Sequence, residues 1–272
     1  MAFSSLSRKL SYLSRQKYVP PEIDNVFQLV LHEKYKELAK YILDEKNEIW
    51  KIKKGDDINI LHSACVLDNF KLVKLIIELT KKRLNLEQKN EANQKIFNDF
   101  INAKTEIEQL TPLHYAAYRG NIKLIEFLIQ NKADVHALSY NGLNMLHKGS
   151  QGNSPNSIIF FNKKYNIDIS SVNNDGLNAL HFAAISGMDN SVIYLLNMGL
   201  DPNLQDFQGN AALHYAVKYS VSVFALMKSL KIFSLLLFSS CEIEFSEIKF
   251  KRFLVDSMIN LTNLKLSETH AE

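Results

Sequence analysis

A leucine followed by a histidine returns at a nearly fixed beat: Leu61-His62, Leu113-His114, Leu146-His147, Leu180-His181 and Leu213-His214. The histidines stand 52, 33, 34 and 33 residues apart. A period in the low thirties means copies of one supersecondary unit, each too small to bury its own apolar face. Such units bury it against their neighbours, so the chain is expected to fold as a stacked array rather than around one closed core.

The clearest copy runs from Thr111 to Gly142. Leu113, Ala116 and Ala117 form one short apolar face, and Ile122, Leu124, Ile125, Leu128 and Ile129 recur at helical spacing on a second, which reads as a helix-turn-helix. Gly120 falls between the two helices, where the absence of Cβ permits a left-handed backbone. Asn141-Gly142 marks a tight turn before the next copy.

These residues resemble the ankyrin repeat, whose pattern places TPLH, two alanines, a glycine and a double leucine at these offsets. The resemblance covers residues 24–240 and is strongest in Thr111 to Gly142 and Asn178 to Gly209. It implies an all-α repeat solenoid: about six helix-turn-helix units stacked side by side, with β-turns or hairpins at their tips. It also implies a structural role for the histidines, bonding backbone and neighbouring-copy groups. Asn59, Thr111, Asn144 and Asn178, three residues before the histidines, read as helix N-caps. Ala211 breaks that series, and a weaker start to the sixth copy is expected.

The other copies depart from the pattern. A first unit, Asp24 to Asp57, has Phe27 in place of leucine and lacks the histidine, as suits the cap of an array. Residues 82–108 hold an insertion rich in Lys, Glu, Asn and Gln, expected to be a longer helix or an extended loop finger. The fourth copy replaces the alanine pair by Gly149 and Ser150, and Pro155 fits only the first turn of its second helix. In the sixth copy the apolar triplet Leu235-Leu236-Leu237 comes late. Residues 241–272 form a non-repeat extension in which Phe245, Ile248, Phe250, Phe253, Leu254 and Met258 predict a closing helix or strand pair. Residues 1–23 read as a basic, serine-rich disordered tail.

Composition narrows the function. Of the 272 residues, 46% are hydrophobic and 22% charged, which is ordinary for a globular array. The net charge is +3 with lysines interleaved among acids, unlike the focused basic stripe of a nucleic-acid binder. The most apolar window, Val221 to Phe238, contains Lys228 and Lys231, so no direct membrane insertion is expected. Cys65 and Cys241 are not spaced for zinc, which points to a reducing cytoplasmic setting, with a nuclear one as alternative. Residues 1–20, with four basic residues and no acid, leave import into an organelle as another.

No nucleophile elbow, phosphate loop or metalloprotease motif is present in the sequence, so the expectation is a non-enzyme without cofactor, metal or small-molecule substrate. The histidines of successive copies are separated by helix-packing distance, ~8–10 Å, too far to converge on one ion. What remains is a protein partner on the concave face of the stack. By register, Tyr115, Lys148, Phe182 and Tyr215 follow the histidines and face that groove; Tyr118 and Tyr219 lie one turn later; Tyr140 and Phe207 occupy matching tips. A narrower resemblance also exists. The stretch GLNMLHKGSQGNSPNSIIFFNKKYNIDI and the LHYAVK segment are similar to the ankyrin half of protist Asp-His-His-Cys palmitoyltransferases, which implies substrate recruitment by a chain that lacks the catalytic motif.

Overall fold

The computed structural model describes residues 21–218 apart from Lys89. The basic tail, Tyr219, the second helix of the sixth copy and the extension 241–272 lie outside the described residues. Among the described residues are twelve α-helices: α1 (Pro21–Leu31), α2 (Tyr35–Leu43), α3 (Ile60–Val66), α4 (Phe70–Arg83), α5 (Glu91–Ile101), α6 (Pro112–Arg119), α7 (Ile122–Gln130), α8 (Met145–Gln151), α9 (Pro155–Tyr165), α10 (Ala179–Ser186), α11 (Asp189–Asn197) and α12 (Ala212–Lys218). α1 opens three residues ahead of the expected boundary, because Pro21 at a first helical position loses no hydrogen bond.

The helices form two rows. α1, α3, α6, α8, α10 and α12 pack side by side in one, and α2, α4, α7, α9 and α11 in the other. Leucines of the Leu-His pairs, Leu61, Leu113, Leu146 and Leu180, are buried between the rows with Ile76, Ile125, Ile158 and Leu195. The core is therefore a continuous layer along the stack. Between copies the chain runs out to tips that carry isolated antiparallel bridges, Lys54 with Ile58, Val172 with Asn178 and Gln205 with Ala211.

Gly120 ends α6 at φ 78°, and a Cβ there would lie 2.0 Å from the Ser154 hydroxyl, so both backbone and space demand glycine. Pro155 occupies the first turn of α9, as its sequence position requires.

The insertion is neither a finger nor one long helix. α4 runs to Arg83, whose guanidinium donates to the Ile42 carbonyl at 3.0 Å and the Glu45 carbonyl at 2.9 Å, contacts Asn47 O and lies 5.0 Å from the Trp50 ring centroid. A 3₁₀ turn (Leu86–Gln88) then reverses the chain, and α5 returns to bury Phe97, Phe100 and Ile101. Asn59 Nδ2 donates to the Phe100 carbonyl at 3.2 Å, tying the extra helix to the start of α3. Polar composition masked four apolar residues, Ile96, Phe97, Phe100 and Ile101, at the spacing of one helical face.

Candidate functional site

Each stacking seam is built around an imidazole. Asn59, Asn144 and Asn178 cap their helices, the side-chain oxygen accepting from the amides two and three residues on at 3.0–3.1 Å. In return the histidine Nδ1 accepts the capping residue's own amide, at 3.2 Å for His62, 3.1 Å for His114, 3.0 Å for His147 and 3.3 Å for His181. This is a capping box with histidine in the place usually held by Glu or Gln. Thr111 departs in detail, its hydroxyl lying 2.9 Å from His114 Nδ1. Ala211 has no capping side chain, yet its amide still reaches His214 Nδ1 at 3.0 Å.

The opposite nitrogen crosses to the next copy. Nε2 of His62, His114, His147 and His181 donates to the carbonyls of Leu110, Leu143, Ser171 and Asn210 at 3.0–3.1 Å. An amide on Nδ1 and a carbonyl on Nε2 select the neutral tautomer with its proton on Nε2. Burial pushes His62 down to about 4, His114 to about 3 and His147 to about 4, and also lowers His181. For His114 the charges of Lys148 and Lys104 act in the same direction as burial. Both ring nitrogens are occupied, so these histidines serve the stack rather than a ligand.

The residues that follow the histidines belong to the same seams. Tyr115 stands edge-on to His62 of the preceding copy, with centroids 5.8 Å apart and an interplanar angle of 89°. Phe182 repeats the contact with His147 at 5.3 Å, and Tyr215 with His181 at 5.9 Å. Phe182 is only 7% exposed, so it does not present the open aromatic face expected of it. Tyr115 and Tyr118 are half-buried; the Tyr215 hydroxyl donates to Asp206 Oδ2. Lys148 takes the aromatic's position in the fourth copy, with its side chain 12% exposed and Nζ 3.9 Å from Glu108 Oε2. A register argument places these residues on the first helices correctly but does not see the imidazole of the neighbouring copy beneath them.

The tips are different. Tyr140 is 73% exposed and Phe207 76%. Both lie four residues before the start of the following helix's cap, and Ile107, 57% exposed, has the same register ahead of Thr111. Leu138, Val172 and Leu204 are exposed on the same tips. Sequence reasoning missed these four aliphatic residues. The signal for Ile107 was its register, obscured by the insertion just before it.

Main-chain bonds hold the tips in line. The Tyr140 amide donates to the Glu108 carbonyl at 2.9 Å, Asn174 to Asn141 at 3.1 Å and Phe207 to Asp175 at 3.1 Å. Each joins the residue four before one copy's cap to the residue three before the cap of the preceding copy. Asn141 Nδ2 adds a bond to Asp175 Oδ2 at 2.6 Å. The backbone beneath these exposed apolar side chains is ordered, so little further ordering would accompany a contact made there. Among the described residues no helix is long and apolar enough to cross a membrane.

A family model described as ankyrin repeats (3 copies) matches residues 26–138, 89–171 and 146–247. No curated protein matches the chain, and the narrower resemblance to palmitoyltransferases gains no relative in support. The matched segments span most of the 272 residues and coincide with the stacked helix pairs, their capping histidines and their bonded tips: the chain belongs to the ankyrin-repeat family.

Proposed function

We propose that this chain is a non-catalytic scaffold that receives a protein partner along its tips and the adjoining edge of the first-helix row, ankyrin repeats being in general protein–protein interaction modules. The observation that carries the reading is the matched exposure of Tyr140 and Phe207, large aromatic side chains on tips held together by main-chain bonds. Aromatic anchors of this kind dominate binding energy at interfaces, and burying one removes ~150–250 Å² from water. The seam aromatics Tyr115, Phe182 and Tyr215 set the spacing of the units that present the tips. Cys65, a free thiol buried in the core and pushed to a higher pKa by that burial, supports a cytoplasmic setting.

The test is affinity capture with the full chain as bait beside the double variant Tyr140→Ser/Phe207→Ser. Loss of the captured protein with an unchanged thermal transition is the expected result. Capture that survives in the variant would move the binding surface elsewhere.

A further inference from the structure

Charge is segregated along this array. The four later tips, 101–110, 134–143, 168–177 and 201–210, carry seven acids, among them Glu106, Glu108, Asp175 and Asp201, against one lysine, Lys104, whereas the first tip, closed by the Lys54–Ile58 bridge, holds Lys51, Lys53 and Lys54 beside Asp56 and Asp57. The chain as a whole is positive, at +3. Compensating cations stand on the second row, where α4 alone holds Lys71, Lys74, Lys81, Lys82 and Arg83 against Glu78. The exposed apolar side chains of the tips therefore sit in a negative border. Apolar anchors and border repeat together: Ile107 lies between Glu106 and Glu108, all three exposed, with Glu108 3.9 Å from Lys148, and the Phe207 amide is bonded to the carbonyl of exposed Asp175.

Resting on the scaffold reading above, we propose that the tip strip takes an extended segment of a partner protein carrying lysine or arginine beside apolar side chains set about three residues apart. Spacing follows from the stack. Successive units are ~8–10 Å apart at helix-packing distance, and an extended chain advances ~3.3 Å per residue. Three residues thus span one tip. Ile107, Tyr140, Val172 and Phe207 provide an exposed apolar contact on each of four consecutive tips. Sign follows from the border: opposite charges on the partner steer it to the strip and fix its direction, while like charges would oppose docking.

The same chemistry argues against other occupants. An anionic membrane surface would be repelled by the acids. A second copy offers cations on α4, but no large apolar residue of α4 is among the exposed hydrophobic side chains, so that face has nothing to seat on Tyr140 or Phe207.

The experiment selects a random 16-residue peptide display library on the full chain, with counter-selection on Tyr140→Ser/Phe207→Ser. Enriched peptides should hold more Lys and Arg than Asp and Glu, with apolar residues three apart. Measured singly by fluorescence anisotropy, they should weaken about tenfold on Glu106→Lys/Glu108→Lys and show strong loss at high salt. Glu106→Gln/Glu108→Gln should give a smaller loss in the same direction, with the thermal transition kept. Acidic or uncharged winners, no winners at all, or self-association of the chain that Tyr140→Ser abolishes would each overturn the inference. If protein capture depends on Tyr140 and Phe207 while the peptides are not basic, only this inference falls; if capture ignores both aromatics, the scaffold reading falls with it.

Discussion

Acidification should unfasten the seams before it touches the core. His62, His114 and His147 are neutral in the fold, with values of about 4, 3 and 4 against 6.5 for the free side chain. Between those values the unfolded chain binds more protons than the folded one. The contribution is complete above pH 6.5 and is lost as pH falls toward the folded values. For a group at 6.5 unfolded and about 4 folded, the loss at about pH 5 is ~2 kcal/mol. Three such groups lose roughly 6 kcal/mol together, comparable with the ~5–15 kcal/mol of a whole domain. Each protonation also sets a proton against the capping amide on Nδ1, so the helix start and the seam fail together.

Urea unfolding between neutral pH and about pH 5 measures the fall, and its pH slope should report uptake of roughly three protons at the acid end. Imidazole resonances of the folded chain give the same quantity residue by residue. His114→Ala should cost about 1–3 kcal/mol at neutral pH by stranding the Thr111 amide and Leu143 carbonyl. It should also remove that histidine's share of the pH dependence. Native imidazoles that titrate near 6.5, or a stability flat from neutral to pH 5, would refute the assignment.

Five substitutions test the packing of individual copies. Ser157 and Ser191 occupy, three residues after their helix caps, the position held by Leu72 and Leu124 in earlier copies, and both hydroxyls are buried without a hydrogen-bond partner; Ser157→Ala and Ser191→Ala should each raise the melting temperature, by the equivalent of about 1 kcal/mol. Gly152→Ala should destabilise by more than about 2 kcal/mol in denaturant titration, because its Cβ would lie 1.7 Å from the Tyr118 carbonyl oxygen and backbone must move. Phe182→Ala should cost about 3–5 kcal/mol by emptying the space against His147, whereas Tyr140→Ala should stay within about 0.5 kcal/mol in the same titration.

How much was legible follows from the range of the forces involved. The period, the caps and the turn glycines are local chemistry, written within a few residues, and the helix pairs appear where that chemistry puts them. Insertion 82–108 was misread because its polar surface outweighs the four apolar residues that dock α5. The seam aromatics show a different limit. Their spacing fixes the helix on which Tyr115 and Phe182 stand, but their cover comes from an imidazole in the preceding copy. A single copy's register contains no term for it.

That distinction also sorts the candidate site. In a stack, a side chain on the first-helix row meets the unit beside it, so an aromatic there stabilises the seam before it meets a partner. A tip is joined to its neighbours through backbone, as the amides of Tyr140 and Phe207 are, which leaves the side chain free of the packing that supports it. The array thereby separates two duties that compete in a closed core. His–aromatic contacts and capping imidazoles fix where the units stand, and residues such as Ile107, Tyr140 and Phe207 are exposed above them, so their replacement should have little effect on folding. Substitutions that change partner preference are therefore expected at the tips, and substitutions that change pH stability at the seams. Double variants joining Tyr140→Ser with His62→Ala should show additive effects on stability, because the two side chains share no hydrogen-bond or ring partner. A coupling above about 0.5 kcal/mol in that cycle would mean that tips and seams move as one unit.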